Sequence, residues 1–403
     1  MTSSSPALES LRRGSVDLID ETDLSRKIAR GPVTVKVGFD PSAPDIHLGH
    51  TVVLRKMRHF QDAGHRVVFV IGDFTGAIGD PSGKKTTRPQ LTREEIEENA
   101  RTYTKQAFKI LDSDKTVIEF NSQWLNALGA AGLVRLAARV TVARILERDD
   151  FQKRWRANQP IALHELLYPL AQGYDSVALK ADVELGGTDQ LFNLLVGRDL
   201  MRAEGLEPQV VMTLPLLVGI DGAEKMSKSL GNAIGVLDPP GDMYGKVMSI
   251  PDPLLWSWYE LLTDAPAEEI AARRRRVEAG QENPRDAKAE LARRITTDFH
   301  GAEAASRAAE DFRRAFSRGE LPEDVETREL PAEGGGPAAK TLVALGLCPS
   351  MRDARRKLEE GALKVYADGA AEPREVRDPD EKLAGPGASV LRMGRRFIRV
   401  VWK

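Results

Sequence analysis

One short segment restricts the architecture of this chain more than any other. Residues 67–71, Val-Val-Phe-Val-Ile, form a continuous apolar run rich in β-branched side chains. A strand without polar alternation is typical of a parallel sheet that is covered on both faces. Strand composition also occurs from Val33 to Gly38 and from Lys115 to Phe120. Because parallel strands need crossover connections, we expect helices between these three segments.

The segments between the strands have helical patterns. An amphipathic stretch runs from His47 to about Ala63, and Thr92 to Glu95 has the pattern of a capping box before an apolar helical periodicity. Strands that alternate with helices predict an α/β fold with a doubly wound, Rossmann-like parallel sheet and right-handed crossovers. Ligands of such sheets bind beyond the carboxyl ends of the strands. We therefore expect the functional residues on the loops that follow the strands.

Length and composition indicate more than one domain. A chain of 403 residues exceeds what a single hydrophobic core usually supports. Strand patterns fade after about Asp238, Asn283-Pro284 predicts the start of a helix, and residues 331–337 have linker composition. We predict a Rossmann-like catalytic domain with an N-terminal helical segment over 1–235, an α-helical domain over 236–330, and a small α+β domain over 337–403.

The net charge of −2 is unevenly distributed. Residues 337–403 contain 14 Lys or Arg and 9 Asp or Glu, which gives this part +5 and leaves −7 for the remainder. Basic domains commonly bind nucleic acid, although a solvated basic surface gives the same pattern.

The compartment follows from cysteine usage and hydropathy. Cys348 is the single cysteine, so an intramolecular disulfide is impossible and a reducing compartment is favoured. The Ser-rich start has no apolar core of signal-peptide length, and no run approaches the roughly 18 apolar residues of a membrane span. We expect a cytoplasmic protein without a membrane partner.

Two histidines, His47 and His50, are three residues apart at the predicted first turn of a helix. The positive end of the helix dipole favours anions there, and Gly49 would let a ligand approach the backbone. A metal pair is the alternative, but no third ligand is near in sequence. Surface histidines without a function are the other alternative.

Two glycine-rich segments follow predicted strands. Residues 72–84 do not match a phosphate-binding Walker A motif, because Gly79 and Gly83 enclose three residues and a second lysine follows Lys84. Asp80 and Lys84 nevertheless suit an amine and a phosphate. Residues 186–190, Gly-Gly-Thr-Asp-Gln, would let a ribose or adenine lie on the backbone, although Asp189 could be only a helix N-cap.

The segment Lys225-Met226-Ser227-Lys228-Ser229 lies in a polar loop flanked by glycines. Two ammonium groups on such a loop could stabilise the charge that develops on a pyrophosphate leaving group. Taken alone, a basic loop is usually solvated surface. Its occurrence after the His47–His50 segment, in this order and at this separation, makes chance an unsatisfactory explanation.

These two motifs resemble the His-x-Gly-His and Lys-Met-Ser-Lys-Ser signatures of class I aminoacyl-tRNA synthetases. Residues 168–175 resemble the Tyr-x-x-x-Gln-x-x-Asp segment of tyrosyl-tRNA synthetases, and Leu342 to Gly361 resembles an S4-like RNA-binding domain. The resemblance implies a tyrosine–tRNA ligase that uses L-tyrosine, ATP with Mg²⁺ and tRNA(Tyr), with no protein-ligated metal. It also implies an anticodon-binding role for 236–330 and a homodimer. A tryptophanyl enzyme, which shares the fold and both signatures, is one alternative, and a non-catalytic RNA-binding relative is another.

The resemblance also assigns roles to residues. Asp175 would accept a hydrogen bond from the substrate phenol, and Lys36 stands where many relatives have a tyrosine that also touches this phenol. The implied catalytic residues are His47, His50, Lys225 and Lys228. The implied tyrosine-binding residues are Gly38, Asp40, Asp80, Tyr168, Gln172, Asp175 and Gln190. The implied ATP-binding residues are His47, Gly49, His50, Lys84, Gly187, Asp189, Lys225, Met226, Ser227, Lys228 and Ser229. The implied RNA-binding residues are Arg352, Arg355, Arg356 and Lys357.

Overall fold

The computed structural model describes residues 6–41, 44–81, 92–317, 325–330, 336–367, 373–383, 387–394 and 396–402. These residues form two compact units. The first comprises the described residues of Met1–Ile46 and His50–Leu217, and the second those of His47–Gly49 and Val218–Lys403. The division at Leu217 precedes the predicted boundary at residue 235, so the Lys225–Ser229 loop belongs to the second unit. The predicted limits of the three domains remain predictions.

The first unit is built on a six-stranded sheet in the order β1-β6-β5-β2-β3-β4. All neighbouring strands are parallel except β1, which pairs with β6 in the antiparallel direction. The strands are β1 Leu18–Ile19, β2 Thr34–Phe39, β3 Arg66–Ile71, β4 Thr116–Phe120, β5 Val183–Gly187 and β6 Val210–Leu214. The helices are α1 Pro6–Arg12, α2 Glu21–Ala29, α3 Leu48–Asp62, α4 Asp73–Ile78, α5 Arg93–Ala107, α6 Ser122–Ala137, α7 Val142–Ile145, α8 Asp149–Arg156, α9 Tyr168–Leu179 and α10 Leu191–Ala203. Short 3₁₀ helices occur at Ser113–Lys115, Leu163–Leu167 and Thr188–Gln190.

The predicted doubly wound sheet is confirmed. The side chains of Val67 to Val70 in β3 are fully buried, as the absence of polar alternation predicts. The chain runs from β2 through β3 to β4 and then returns to place β5 on the other side of β2. This reversal makes the carboxyl ends of β2 and β5 the topological switch point, where ligands of such sheets bind.

Close packing of α9 on α10 orients the side chains that follow the switch point. A Cβ atom at Gly173 would lie 3.0 Å from the backbone nitrogen of Gly197. Residues larger than glycine would therefore force the two helices apart. The contact therefore fixes the position of α9, which contains Tyr168, Gln172 and Asp175, relative to α10.

The second unit contains helices followed by a small mixed sheet. The helices are α11 Pro240–Met248, α12 Leu255–Leu262, α13 Ala267–Glu278, α14 Pro284–His300, α15 Ala302–Ser317, α16 Ala338–Ala344 and α17 Met351–Glu359, with 3₁₀ helices at Lys228–Leu230 and Asp252–Leu254. The strands are β7 Thr327–Leu330, β8 Leu363–Ala367, β9 Arg374–Val376, β10 Gly387–Met393 and β11 Arg396–Trp402, in the order β7-β11-β10-β8-β9. The predicted α+β character of the C-terminal segment is confirmed.

Local signals placed several helix starts correctly. Asn283 caps α14 by accepting a hydrogen bond from the backbone nitrogen of Arg285, and Thr92 and Glu95 form the predicted capping box of α5. Residues 331–335 of the predicted linker lie outside the described residues. In the part of the chain that the structure describes, no helix is both long enough and apolar enough to cross a membrane.

Candidate active site

Asp40 follows β2 at the switch point and is held by two hydroxyl groups. Its Oδ2 atom accepts a hydrogen bond of 2.7 Å from the Tyr168 hydroxyl, and its Oδ1 atom accepts one of 2.6 Å from Thr75. A Cβ atom at Gly72 would collide with both Asp40 and Thr75, so this position requires glycine. Burial raises the pKa of Asp40 to about 7, and the nearby carboxylates Asp80 and Asp175 act in the same direction.

Asp80 lies in the loop after α4 and has a cationic partner. Its Oδ1 atom is 3.2 Å from Nη2 of Arg148, and its Oδ2 atom accepts a hydrogen bond of 2.7 Å from Gln190. The buried Arg148 also pairs with Asp150 at 2.8 Å. These contacts place Asp80 and Gln190 together, as expected for two residues assigned to the same substrate.

A chain of amide groups orients Gln172. Its Oε1 atom accepts a hydrogen bond of 2.8 Å from Asn193, and the same Asn193 amide donates to Gln190 at 3.3 Å. Arg148 in turn donates to the Asn193 oxygen at 3.2 Å. Both glutamine oxygens therefore face the Asn193 amide, which orients the two side chains.

Asp175 is buried, with 2% of its surface exposed. Its Oδ1 atom accepts a hydrogen bond of 2.8 Å from the indole nitrogen of Trp124, and its Oδ2 atom is 3.5 Å from the side-chain nitrogen of Asn121. Burial raises the pKa of Asp175 to about 6, whereas the Lys36 ammonium lowers it. A carboxylate in this setting is an acceptor that favours a ligand hydroxyl over an apolar group.

Two glycines, Gly38 and Gly187, lie near the carboxyl ends of β2 and β5. A Cβ atom at Gly38 would meet nothing within 4 Å, so this glycine leaves open space near the carboxyl end of β2. A Cβ atom at Gly187 would lie 2.6 Å from a carboxylate oxygen of Asp189. The alternative that Asp189 is an N-cap is wrong, because Gly187 precedes the 3₁₀ helix and Gln190 precedes α10. Lys84 lies outside the described residues.

His50 is the third residue of α3 and belongs to the first unit. Its ring has edge contacts with Phe39 and Tyr103, with ring centroids 6.1 Å and 6.4 Å apart. The aromatic contacts fix the ring near the start of the helix. This position agrees with the predicted location at a helix N-terminus, where anions are favoured.

His47 and the Lys225–Ser229 loop both belong to the second unit. The His47 backbone bridges to Gly235, and its Nδ1 atom accepts a hydrogen bond of 3.1 Å from the Gly49 backbone nitrogen. The neutral imidazole therefore carries its proton on Nε2, as a donor. A Cβ atom at Gly49 would lie 2.9 Å from the His47 ring and 3.6 Å from Cβ of Met226, so the two sequence signatures meet at this glycine.

A buried asparagine, Asn232, organises the Lys225–Ser229 loop. Its Oδ1 atom accepts a hydrogen bond of 2.7 Å from the Ser227 backbone nitrogen, and its Nδ2 atom donates to the Lys225 carbonyl at 3.1 Å. The same Nδ2 atom donates to Asp221 at 2.7 Å. Lys225 and Lys228 are exposed, while Met226 is buried and anchors the loop between them.

Three comparisons with known proteins agree. The family model described as tRNA synthetases class I (W and Y) matches residues 28–317. A tyrosine–tRNA ligase of Oleidesulfovibrio alaskensis is 52% identical over 98% of both chains, and that of Haemophilus influenzae is 52% identical over 99% of this chain and 98% of its own. The chain belongs to the tyrosine–tRNA ligase family. A solved structure of a C-terminally truncated mitochondrial tyrosyl-tRNA synthetase from Aspergillus nidulans shares the fold, with a TM-score of 0.65 at 21% identity, covering 78% of this chain and 95% of that one.

The tryptophanyl alternative is not favoured, because these relatives are named tyrosine–tRNA ligases and match this chain over nearly its full length. The roles of individual residues are a separate question. Hydrogen bonds join Asp40 to Tyr168, and a second group joins Asp80 to Gln190, with Gln172 connected to Gln190 through Asn193. Within the described residues, no group of three or more potential metal ligands occurs.

The predicted RNA-binding residues lie on α17. Arg352 and Arg355 are exposed, and Arg355 pairs with Asp380 at 2.9 Å. Arg356 and Lys357 both pair with Asp353, at 2.8 Å and 3.0 Å. Three of the four basic side chains are therefore paired with carboxylates of the same domain, which partly neutralises the basic face.

Several residues of the site were not predicted from the sequence. They are Thr75, Asn121, Trp124, Arg148, Asn193 and Asn232. Five of the six contact the predicted residues across large sequence separations, such as the 51 residues between Trp124 and Asp175. No local pattern marks them, so only the fold shows that they belong to the site.

Proposed function

We propose that this chain activates L-tyrosine with ATP to form tyrosyl-adenylate and pyrophosphate, and then transfers the tyrosyl group to tRNA(Tyr) with release of AMP. The observation that carries this proposal is the buried Asp175, which accepts a hydrogen bond from Trp124. We assign this carboxylate as the acceptor for the substrate phenol. Family membership supports the reaction class, and the hydrogen-bonded carboxylates supply a second polar end for the amino acid.

Asp40, Asp80, Tyr168 and Gln172 bind the substrate ammonium in this proposal. An ammonium group needs several acceptors once it is desolvated, and carboxylate, hydroxyl and amide oxygens supply them. Binding of this cation lowers the pKa of Asp40, which burial otherwise raises to about 7. In this proposal Gln190, which is hydrogen-bonded to Asp80, contacts the neighbouring substrate carboxylate.

The first chemical step needs no general base. The tyrosine carboxylate is ionised at neutral pH, so one of its oxygens attacks the α-phosphorus of ATP directly. A bond forms between this oxygen and phosphorus, and the bond from phosphorus to the pyrophosphate oxygen breaks. Mg²⁺ enters with ATP as part of the substrate and neutralises phosphate charge.

His47, His50, Lys225 and Lys228 then act through charge and orientation. The Nε2–H group of His47 is a donor, and the two exposed lysines offer ammonium groups to phosphate oxygens. Interactions that strengthen as negative charge moves to the leaving pyrophosphate raise the rate of the step. Gly49, Gly187, Asp189 and the backbone of the Lys225–Ser229 loop complete the ATP-binding residues.

The second step requires tRNA(Tyr), for which the basic residues of α17 offer phosphate contacts.

We also propose a homodimer, because large apolar side chains are exposed on consecutive elements of the first unit. They are Val134, Val142, Trp155 and Leu163, each more than 60% exposed. Sedimentation equilibrium should give twice the chain mass of 44.3 kDa, and a monomer at micromolar concentration would contradict this part.

Amino-acid-dependent exchange of pyrophosphate into ATP tests the function without tRNA. Tyrosine should support the exchange, and tryptophan should not. If tryptophan supported the exchange and tyrosine did not, tryptophan would be the substrate. A protein that supports no exchange with any amino acid, yet binds tRNA, would be a non-catalytic relative.

A further inference from the structure

Lys36 is a fully buried lysine in the middle of β2. Its Nζ atom is 2.8 Å from Oε1 of Glu184 in β5, and it donates a hydrogen bond of 3.3 Å to the backbone carbonyl of Gln172. Both members of the pair are almost completely removed from solvent, with 0% and 1% of their side chains exposed. Apolar residues at such positions are usually at least as stable as a buried ion pair. Stability alone therefore does not explain the pair.

The pair is attached to α9 on both sides of Asp175. Lys36 binds the carbonyl of Gln172, three residues before Asp175, and Glu184 accepts a hydrogen bond of 2.7 Å from Ser176, the next residue. The same Glu184 oxygen accepts a second bond of 2.7 Å from Gln209. Through these contacts the pair fixes the turn of α9 that carries the carboxylate.

The pair also acts on Asp175 through charge. The Lys36 ammonium lowers the pKa of Asp175 more than any other group, and Glu184 raises it. From α6 and its N-cap, Trp124 and Asn121 donate hydrogen bonds that also lower it, whereas burial raises it to about 6. Lys36 is therefore the group that most strongly opposes the effect of burial on the pKa of Asp175.

We propose that Lys36 and Glu184 are positioning residues for recognition of the substrate hydroxyl. The pair fixes the α9 turn around Asp175 and sets the charge with which Asp175 meets the phenol. The inference rests on the proposed role of Asp175. It gives Lys36 an indirect function in place of the direct phenol contact that a tyrosine would make.

The charge part is tested by the pH dependence of kcat/KM for tyrosine in pyrophosphate exchange. In Lys36→Met/Glu184→Gln the buried pair is neutral, so no unpaired charge is left in the core. Asp40, whose pKa is about 7, also titrates in this range and is present in both proteins, so the readout is the shift of the acid limb between them. The limb should move upward, because the loss of Lys36 outweighs the loss of Glu184 at Asp175. The single variant Lys36→Arg keeps the positive charge, so its acid limb should stay at the wild-type position.

The matched control is the Arg154–Glu165 pair, which is equally buried in the same unit. Arg154→Met/Glu165→Gln removes a similar ion pair that has no contact with Asp175. This variant should keep the acid limb at its wild-type position. A limb that moves equally in both double variants would show a general effect on the core and would overturn the proposal.

The geometric part is tested by Ser176→Ala, a small change that removes one hydrogen bond to Glu184 and leaves all charges. The KM for tyrosine should rise by about fivefold, the cost of roughly 1 kcal/mol for such a bond, while kcat and the acid limb stay the same. An unchanged KM overturns the positioning role.

Asp175→Asn separates this inference from the function on which it rests. If this variant has a lower kcat/KM for tyrosine and the pair variants keep wild-type behaviour, the role of Asp175 stands and the role of the pair is wrong. If Asp175→Asn keeps the wild-type kcat/KM for tyrosine and its pH profile, both the recognition by Asp175 and the role of the pair are wrong.

Discussion

At the scale of single residues, the site contains carboxyl groups, Asp40 and Asp175, whose ionised form is disfavoured by burial. Asp40 accepts hydrogen bonds from Thr75 and Tyr168, yet the pKa of Asp40 is raised from 3.8 to about 7. Such a group is protonated more readily in the folded chain than in the unfolded chain. A site that binds a cation gains from this arrangement, since the substrate supplies the missing positive charge.

Asp40→Asn should therefore stabilise the ligand-free protein at neutral pH. Because the folded pKa is raised, the contribution of Asp40 to stability is fully present below the unfolded pKa and is lost as the pH rises through about 7. The variant should equal the wild type at pH 4 and exceed it at pH 8 by no more than about 4 kcal/mol. Urea unfolding at both pH values measures the difference.

The control for this comparison is Asp114→Asn, which changes a carboxylate in an exposed turn. It should leave the stability difference between the two pH values as in the wild type. A stability gain for Asp40→Asn that is the same at pH 4 and pH 8 would contradict the assigned cause.

At the scale of elements, the Lys225–Ser229 loop joins exposed cations to a fixed backbone. Lys228 is exposed in the 3₁₀ helix Lys228–Leu230, and Gly231 ends that helix with a φ of +66° that favours glycine. The loop thus presents charge without burying it. This arrangement suits a contact that is needed only when phosphate is bound.

Lys228→Ala should slow adenylate formation while tyrosine binding is retained. The expected loss is roughly 2.7–4 kcal/mol of transition-state stabilisation, if the ammonium acts as one donor to a developing charge. Single-turnover formation of tyrosyl-adenylate measures it. Lys340→Ala, an equally exposed lysine of the same unit, should have the wild-type rate, and an unchanged rate for Lys228→Ala refutes the role.

Asn232→Asp should loosen the same loop by a different route. The substitution keeps the shape, but it removes the donors to Lys225 and Asp221 and places a second carboxylate beside Asp221. The loss of buried hydrogen bonds costs about 1–3 kcal/mol, which should appear as slower adenylation and faster tryptic cleavage after Lys225 and Lys228. Asn126→Asp, at an exposed position of a helix, is the control. Equal cleavage rates for the two variants would argue against stabilisation of the loop by Asn232.

Sequence reasoning succeeded for elements whose signal is local. The apolar run of β3, the cap at Asn283 and the loop with Lys225 and Lys228 each occupy a few consecutive residues, so their patterns are visible in the chain. Lys36 and Glu184 are 148 residues apart and meet only because β2 and β5 pair at the switch point. The short edge strand Leu18–Ile19 was also not predicted, because two residues carry no periodicity.

At the scale of the whole molecule, the proposal separates amino-acid activation from tRNA binding. Arg352→Glu/Arg356→Glu reverses two charges on α17, so it should leave pyrophosphate exchange unchanged. The kcat/KM for tRNA in aminoacylation should fall, and its salt dependence should weaken by about one unit of slope per lost phosphate contact.

Lys105→Glu/Lys115→Glu, an equal charge change on exposed residues of the first unit, is the control for this experiment. It should retain both the kcat/KM for tRNA and the wild-type salt dependence. A charge reversal on α17 that leaves aminoacylation unaffected would exclude these arginines as RNA contacts.

The central claim is that a buried carboxylate, Asp175, selects tyrosine by its hydroxyl. Its most direct test is the ratio of kcat/KM for tyrosine to that for phenylalanine in pyrophosphate exchange, measured for the wild type and for Asp175→Asn. The wild type should strongly favour tyrosine, since phenylalanine leaves the buried carboxylate without a partner. The variant should lose most of this preference through a lower kcat/KM for tyrosine. A ratio that is the same in both proteins would contradict the account.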